Sequence, residues 1–317
     1  MHSYQRKLIL SLIFSFLISI FSLSISFADE IRSRAGIVID ASTGNVLYAK
    51  KPCLRQPPAS TAKLMTAIVV LEMTNLSDVV KISRNAAHIS PLKAGFREGE
   101  RATVETLLYA MLMRSANDAA LALAEAIAGS EERFVSLMNR KAADIGAMDT
   151  KFINSNGLPG PGQYTTVLDL SKIMKYTLRY PKLREIIGTR VTEVSTEEGS
   201  IFFLKNTNML MWRDEDLIGG KTGYTLRAKH CFVGAAEHDN KTLIVALLGS
   251  PSREKLWKET EVLINKGLLA IANKEDPFIY ISKTDYDFPY LSKATFAISH
   301  FLSFKDSKLL QFGLTNP

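Results

Sequence analysis

Pro57-Pro58-Ala59-Ser60-Thr61-Ala62-Lys63-Leu64-Met65-Thr66-Ala67-Ile68-Val69-Val70-Leu71 is the stretch on which the fold turns. The proline pair keeps the chain extended, and the apolar positions Leu64, Met65, Ile68, Val69 and Leu71 then recur at helical spacing. Ser60 is therefore expected at or near a helix N-terminus. Lys63, three positions on, shares its face. A serine hydroxyl with an amine one turn away is the pair that acyl transfer through serine needs, provided that burial and a second positive charge depress the amine's pKa.

Upstream, Ala35-Gly36-Ile37-Val38-Ile39-Asp40 and Val46-Leu47-Tyr48-Ala49-Lys50 flank Ser42-Thr43-Gly44-Asn45, which predicts an opening β-hairpin. Downstream the chain is predominantly helical. Expected helices run from Thr103 to Met113, from Asp118 to Ala128 with a stop at Gly129, from Ser130 to near Gly146, and from about Thr165 or Thr166. The polar stretch Asn154 to Gly162 is a long turn region suited to walling a cleft. Strands return with Lys221-Thr222-Gly223, Cys231 to Glu237 and Thr242 to Leu248, and a helix from about Ser252 to Leu269 closes the unit. Strands at both ends of a helical middle imply an α+β fold, with an antiparallel sheet flanked by helices and an inserted, mainly helical lobe.

Arg6 and Lys7 precede an apolar run from Leu8 to Ile25 that ends in Ser26-Phe27-Ala28, the pattern of a signal peptide cleaved after residue 28. The remainder is then an exported chain, in the periplasm or on the outer face of the cytoplasmic membrane. Loss of Arg6 and Lys7 lowers the formal charge from +7 to +5. That excess is spread out rather than gathered in Lys/Arg blocks, which disfavours a nucleic-acid partner. Residues 29–272 form the expected catalytic domain and 273–317 a tail, in which 291–304 could form an amphipathic helix in peripheral contact with a membrane. Cys53 and Cys231 have no metal-ligand spacing, and Cys231 sits in an apolar run that favours a buried thiol over a disulfide. The five histidines form no paired ligand motif, so neither a metal nor an organic cofactor is expected.

Two further motifs complete the Ser60-Thr61-Ala62-Lys63 set: Ser115-Ala116-Asn117, on the connection between two helices, and Lys221-Thr222-Gly223. They add a second hydroxyl and a second cation that would hold Lys63 toward neutrality. Each motif is weak alone. Ser90-Pro91-Leu92-Lys93, Ser252-Arg253-Glu254-Lys255 and Ser83-Arg84-Asn85 match the same short patterns but lack the order and context.

The three motifs resemble those of serine-type D-alanyl-D-alanine carboxypeptidases of the low-molecular-mass penicillin-binding class. The likeness extends to Ala35–Asp40, Pro58–Ala67, Ser115–Ala120, Met138-Asn139, Asn156-Gly157-Leu158-Pro159 and Gly220–Thr225, and covers about Ala35 to Leu269. The resemblance implies a β-lactamase/transpeptidase-like fold and removal of the terminal D-alanine from peptidoglycan stem pentapeptides through a Ser60 acyl-enzyme, with β-lactams as covalent inhibitors. It implies Lys63 as base, Ser115 as proton relay, and Asn117, Lys221, Thr222, Gly223 and Tyr224 as substrate-binding residues. The backbone N–H groups of Ser60 and Tyr224 would form the oxyanion hole. Arg253 is a candidate second clamp for the substrate carboxylate. Ala116 departs from the family's commoner glycine, and no C-terminal β-rich domain is evident.

Three rivals remain. A β-lactamase of the commonest serine class needs a Glu-x-x-Leu-Asn loop, and no Leu-Asn pair occurs between Asn117 and Lys221. A silent binding module would have lost the serine or a lysine. An endopeptidase or transpeptidase uses the same acyl-enzyme and stays open, as does the oligomeric state.

Overall fold

The computed structural model describes residues 31–90, 92–273 and 278–280. Strands β1 (Ala35–Asp40) and β2 (Val46–Lys50) form the opening hairpin. Its turn is closed by Gly44 N–H donating to Asp40 O at 2.8 Å, with Gly44 at φ 80°. Much later in the chain β7 (Leu217–Thr225), β8 (Lys229–His238) and β9 (Lys241–Ser250) form a meander, and β9 pairs antiparallel with β1. The two ends of the chain thus knit one sheet.

That sheet runs β10-β2-β1-β9-β8-β7, with β10 (Phe278–Tyr280) parallel to β2. β10 departs from the expected all-antiparallel pairing and carries the sheet past the domain end expected at residue 272. A three-residue strand is too short for alternation to reveal it. At the opposite end β7, which bears the Lys221-Thr222-Gly223 motif, is the edge strand.

Between β2 and β7 lies the lobe. A 3₁₀ turn (Ala59–Ala62) leads into α1 (Lys63–Met73). There follow β3 (Val79–Lys81), α2 (Arg84–His88), β4 (Arg101–Thr103), α3 (Val104–Met113), α4 (Asn117–Ala128) and α5 (Glu131–Asp144). Then come α6 (Val167–Thr177), α7 (Pro181–Gly188), β5 (Val191–Ser195), β6 (Ile201–Lys205) and a 3₁₀ turn (Met209–Trp212). Thr103, Ser130 and Thr166 cap α3, α5 and α6 through their hydroxyls, and Gly129 ends α4 in the left-handed region at φ 77°. β3–β4 and β5–β6 are separate two-stranded ribbons.

β1 is buried along its whole length because the sheet is covered on both faces. Ile37 and Ile39 join the core shared with α1, α3 and α4. Val38 points to the opposite face, against α8 (Arg253–Asn273), where Gly267 allows close approach. α6 packs on β1, β8 and β9 and links sheet to lobe.

Two of the three look-alike motifs have ordinary structural uses. Ser83 caps α2 and, with Asn85, hydrogen-bonds Glu125; Ser252 Oγ accepts from Lys255 N–H at 3.1 Å at the start of α8. Cys231 is a buried free thiol. The expected signal peptide, 1–28, and the candidate membrane-contacting helix, 291–304, lie outside the described residues. Among the described residues no helix is long and apolar enough to cross a membrane.

A Cβ at Gly267 would stand 2.8 Å from Val38 Cγ1 and 3.0 Å from Leu243 Cδ1. Gly267→Leu is expected to destabilise the fold by about 1–3 kcal/mol, because overpacking outweighs the helix-propensity gain of up to about 1 kcal/mol. Urea unfolding of the variant beside wild type measures the difference.

Candidate active site

Ser60 lies in the 3₁₀ turn, entered through Ala59 at φ 48°, a left-handed conformation that costs a non-glycine residue energy. Thr61 holds the turn with its hydroxyl donating to Pro58 O at 2.7 Å. Two glycines permit the neighbouring segments to close on it. A Cβ at Gly157 would fall 1.9 Å from Ala59 O, and one at Gly223 would fall 2.9 Å from Ser60 N. The loop after α5 and the edge strand β7 therefore both touch the turn that bears Ser60.

The hub is Lys63, fully buried on the first turn of α1. Its Nζ stands 3.2 Å from Ser60 Oγ, 2.7 Å from Asn117 Oδ1 and 2.7 Å from the Asn156 backbone oxygen. Burial, and next the charge of Lys221, hold its pKa well below the usual amine range, while Asp118 draws it partly back. A neutral amine has two N–H groups and one lone pair. Asn117 Oδ1 and Asn156 O can only accept, so they take the two protons and leave the lone pair to Ser60 O–H. This is the geometry of a general base.

Lys221 is also fully buried, on β7. Its Nζ donates to Ser115 Oγ at 3.0 Å and to Thr222 O at 3.0 Å. Burial pulls its pKa down to about 7. Ser115 sits at φ 63° between α3 and α4. The left-handed residue is thus Ser115, not Ala116, whose φ of −59° suits any L-residue; the alanine departure is sterically harmless. Asp118 holds the adjoining loop by accepting from the N–H groups of Ala94, Gly95 and Phe96.

At the far end of β7, Tyr224 is half-exposed and its ring lies 4.5 Å from that of His230 on β8. Arg253 is exposed on the first turn of α8, close enough for its charge to help lower the His230 pKa, though burial is the larger cause. The structure thus brings Ser60, Lys63, Ser115, Asn117, Lys221, Thr222 and Gly223 together and leaves Tyr224 and Arg253 at the rim. The sequence reading gave no role to the Asn156 carbonyl, to Asp118 or to Thr207, whose Oγ1 lies 2.7 Å from Thr222 Oγ1. A backbone acceptor has no residue signature, and Thr207 is 15 residues from its partner. Among the described residues no group of His, Cys, Asp or Glu is arranged to hold a metal ion.

A buried hydroxyl–amine pair beside a second hydroxyl–amine pair, under an exposed strand edge, can form and resolve an acyl-enzyme. The fold is that of penicillin-binding proteins and DD-transpeptidases. The Streptomyces K15 DD-transpeptidase structure superposes with TM-score 0.72 at 31% identity, covering 76% of this chain and 98% of that one. A D-alanyl-D-alanine carboxypeptidase structure from Mycobacterium tuberculosis H37Rv gives 0.72 at 30%, covering 77% and 95%. The D-alanyl-D-alanine carboxypeptidase model of peptidase family S11 matches residues 23–252, and the chain belongs to that family. It is 34% identical over 237 residues to D-alanyl-D-alanine carboxypeptidase DacF of Bacillus subtilis, covering 73% of this chain and 61% of DacF's length. For the D-alanyl-D-alanine carboxypeptidase of Streptomyces sp. K15 the figures are 32% over 249 residues, 73% and 86%.

The folded pKa of Lys221 lies below its ordinary value of 10.5, so between about 7 and 10.5 the unfolded chain binds the extra proton. Stability should therefore rise with pH through that window, with the burial penalty fully present below it. Each pKa unit is worth about 1.4 kcal/mol. Lys221→Met should be more stable than wild type at pH 6 and lose that advantage toward pH 10. Urea unfolding of both proteins across that range tests the sign.

Proposed function

We propose that this chain is a serine-type D-Ala-D-Ala carboxypeptidase that removes the terminal D-alanine from peptidoglycan stem pentapeptides and so limits cross-linking. The observation that supports this most is the fully buried Lys63 amine, 3.2 Å from Ser60 Oγ and 2.7 Å from each of two carbonyl oxygens.

In this reading Ser60 loses its proton to Lys63 as Oγ bonds to the penultimate D-alanine carbonyl carbon. The oxyanion is held by the backbone N–H groups of Ser60 and Tyr224. Ser115, its oxygen held by Lys221, passes its proton to the departing D-alanine nitrogen as the peptide C–N bond breaks, and is reprotonated by the proton Lys63 took from Ser60, which returns Lys63 to the neutral amine. Water, deprotonated by Lys63, then cleaves the ester and restores Ser60. The edge of β7 around Gly223 takes the peptide in extended form, Asn117 binds its backbone, and Thr222 with Arg253 binds the terminal carboxylate. β-Lactams would acylate Ser60, with the leaving nitrogen still tethered after ring opening.

The reading places the enzyme outside the cytoplasm, in the periplasm or on the outer face of the membrane. Residues 1–28 act as its signal peptide, and the catalytic domain beginning at residue 29 extends through β10. A second reading is favoured by the relatives' names. The Streptomyces K15 protein is called both a carboxypeptidase and a DD-transpeptidase, and an Escherichia coli relative of 29% identity is called a D-alanyl-D-alanine endopeptidase. Acyl transfer to an amine, or cleavage of a cross-link, uses the same acyl-enzyme.

Purified Asp29–Pro317 should release D-alanine from a stem pentapeptide, and Ser60→Ala should lower that rate on the order of 10⁴-fold or more. Equal release by the variant would refute Ser60 as nucleophile. Cleavage of cross-linked dimers in place of monomeric pentapeptide would establish the endopeptidase.

A further inference from the structure

Thr222 and Thr207 meet hydroxyl to hydroxyl, Oγ1 to Oγ1 at 2.7 Å, and both side chains are only partly buried at the cleft edge. Each hydroxyl has a single proton, and this contact uses one of the two. If Thr222 donates to Thr207, it has none to offer a ligand. If Thr207 donates, the Thr222 proton is free to point outward. A carboxylate only accepts, so a carboxylate bound at Thr222 requires the order Thr207 O–H to Thr222 O–H to carboxylate. Donation along such a chain also polarises the outer O–H and strengthens its bond to the anion.

We propose that Thr207 is a positioning residue that sets the direction of the Thr222 hydroxyl and thereby tunes recognition of the substrate's C-terminal carboxylate; this rests on the carboxypeptidase reading. The loop that bears Thr207 is built to hold it still. Thr207 N–H donates to Met113 O at 3.0 Å, at the end of α3 just before Ser115. On one side Asn206, buried, donates through Nδ2 to Thr189 O at 2.9 Å and Ile187 O at 3.3 Å, and its N–H reaches Arg190 O at 2.9 Å. Its Oδ1 accepts from Asn208 N–H at 3.0 Å, and Asn208 Oδ1 in turn accepts from Leu210 N–H at 3.2 Å. Two buried asparagines thus clamp the backbone on either side of Thr207. The same loop ties the Ser115 segment of the lobe to the Thr222 edge of the sheet.

The test compares wild type, Thr207→Val, Thr207→Ser, Thr222→Val and Thr207→Val/Thr222→Val on a stem peptide ending in free D-alanine and on its C-terminal amide. On the free acid, Thr207→Val should raise KM about 5- to 30-fold, with kcat changed less than about 3-fold. Thr207→Ser should stay within about 2-fold of wild type, since it keeps the hydroxyl. On the amide, which has no carboxylate to orient, Thr207→Val should match wild type. The double variant should be no worse than Thr222→Val. Wild-type values for Thr207→Val on the free acid, or an equal loss on acid and amide, would overturn the proposal. The same proteins acylated by a penicillin and by its methyl ester, followed by intact mass, give the acid-versus-ester comparison without peptide turnover. Thr207 is therefore judged there even if wild type releases no D-alanine, an outcome that would count against the carboxypeptidase reading alone.

Discussion

A lysine amine with no surface exposed to bulk solvent is the constraint around which the rest of this structure is arranged. An isolated ammonium in the position of Lys63 would be strongly disfavoured. The fold meets the demand by delivering two carbonyl oxygens, Asn117 Oδ1 from the start of α4 and Asn156 O from the loop after α5. Both are acceptors, so they satisfy the N–H groups without supplying the negative charge that would fix the amine as an ammonium. Lys221 then acts from β7 as a second cation pushing the same way. The one formal anion in the set, Asp118, is occupied by three backbone N–H groups of the adjoining loop, those of Ala94, Gly95 and Phe96.

Bringing sheet, lobe and loop to one point requires backbone that ordinary side chains resist. Ala59 and Ser115 both adopt positive φ without being glycine, a cost of about 1–3 kcal/mol each. Gly157 and Gly223 leave out the methyl groups that would collide with the Ser60 turn. These costs are offset by the apolar core of α1, α3 and α4, whose helices are buried around most of their circumference.

Legibility in the sequence followed the range of each interaction. Ser60 and Lys63 are one helical turn apart, so their meeting could be read from spacing, and the opening hairpin and the caps at Thr103, Ser130 and Thr166 are equally local. The pairing of β1 with β9 joins residues some two hundred positions apart and followed only from the arrangement of strands around helices. β5 and β6 do alternate, with Val191, Ile201 and Phe203 exposed against Val194, Phe202 and Leu204 turned inward, but their apolar outer face blurs the signal. β10 is too short for any period. The Asn156 carbonyl and Thr207 escaped for a different reason: a backbone oxygen has no residue type, and a hydroxyl pair is set by how a loop folds.

The central claim is that burial, with the charge of Lys221 beside it, holds the Lys63 amine well below the ordinary lysine range. Nitrogen-15 NMR of the lysine Nζ atoms, titrated from pH 5 to 11 in wild type and in Lys221→Gln, measures this directly. The account expects the Lys63 resonance to titrate well below the ordinary lysine range, and its titration to move upward in the variant. A Lys63 Nζ that titrates near the ordinary 10.5, unmoved by loss of Lys221, would contradict it.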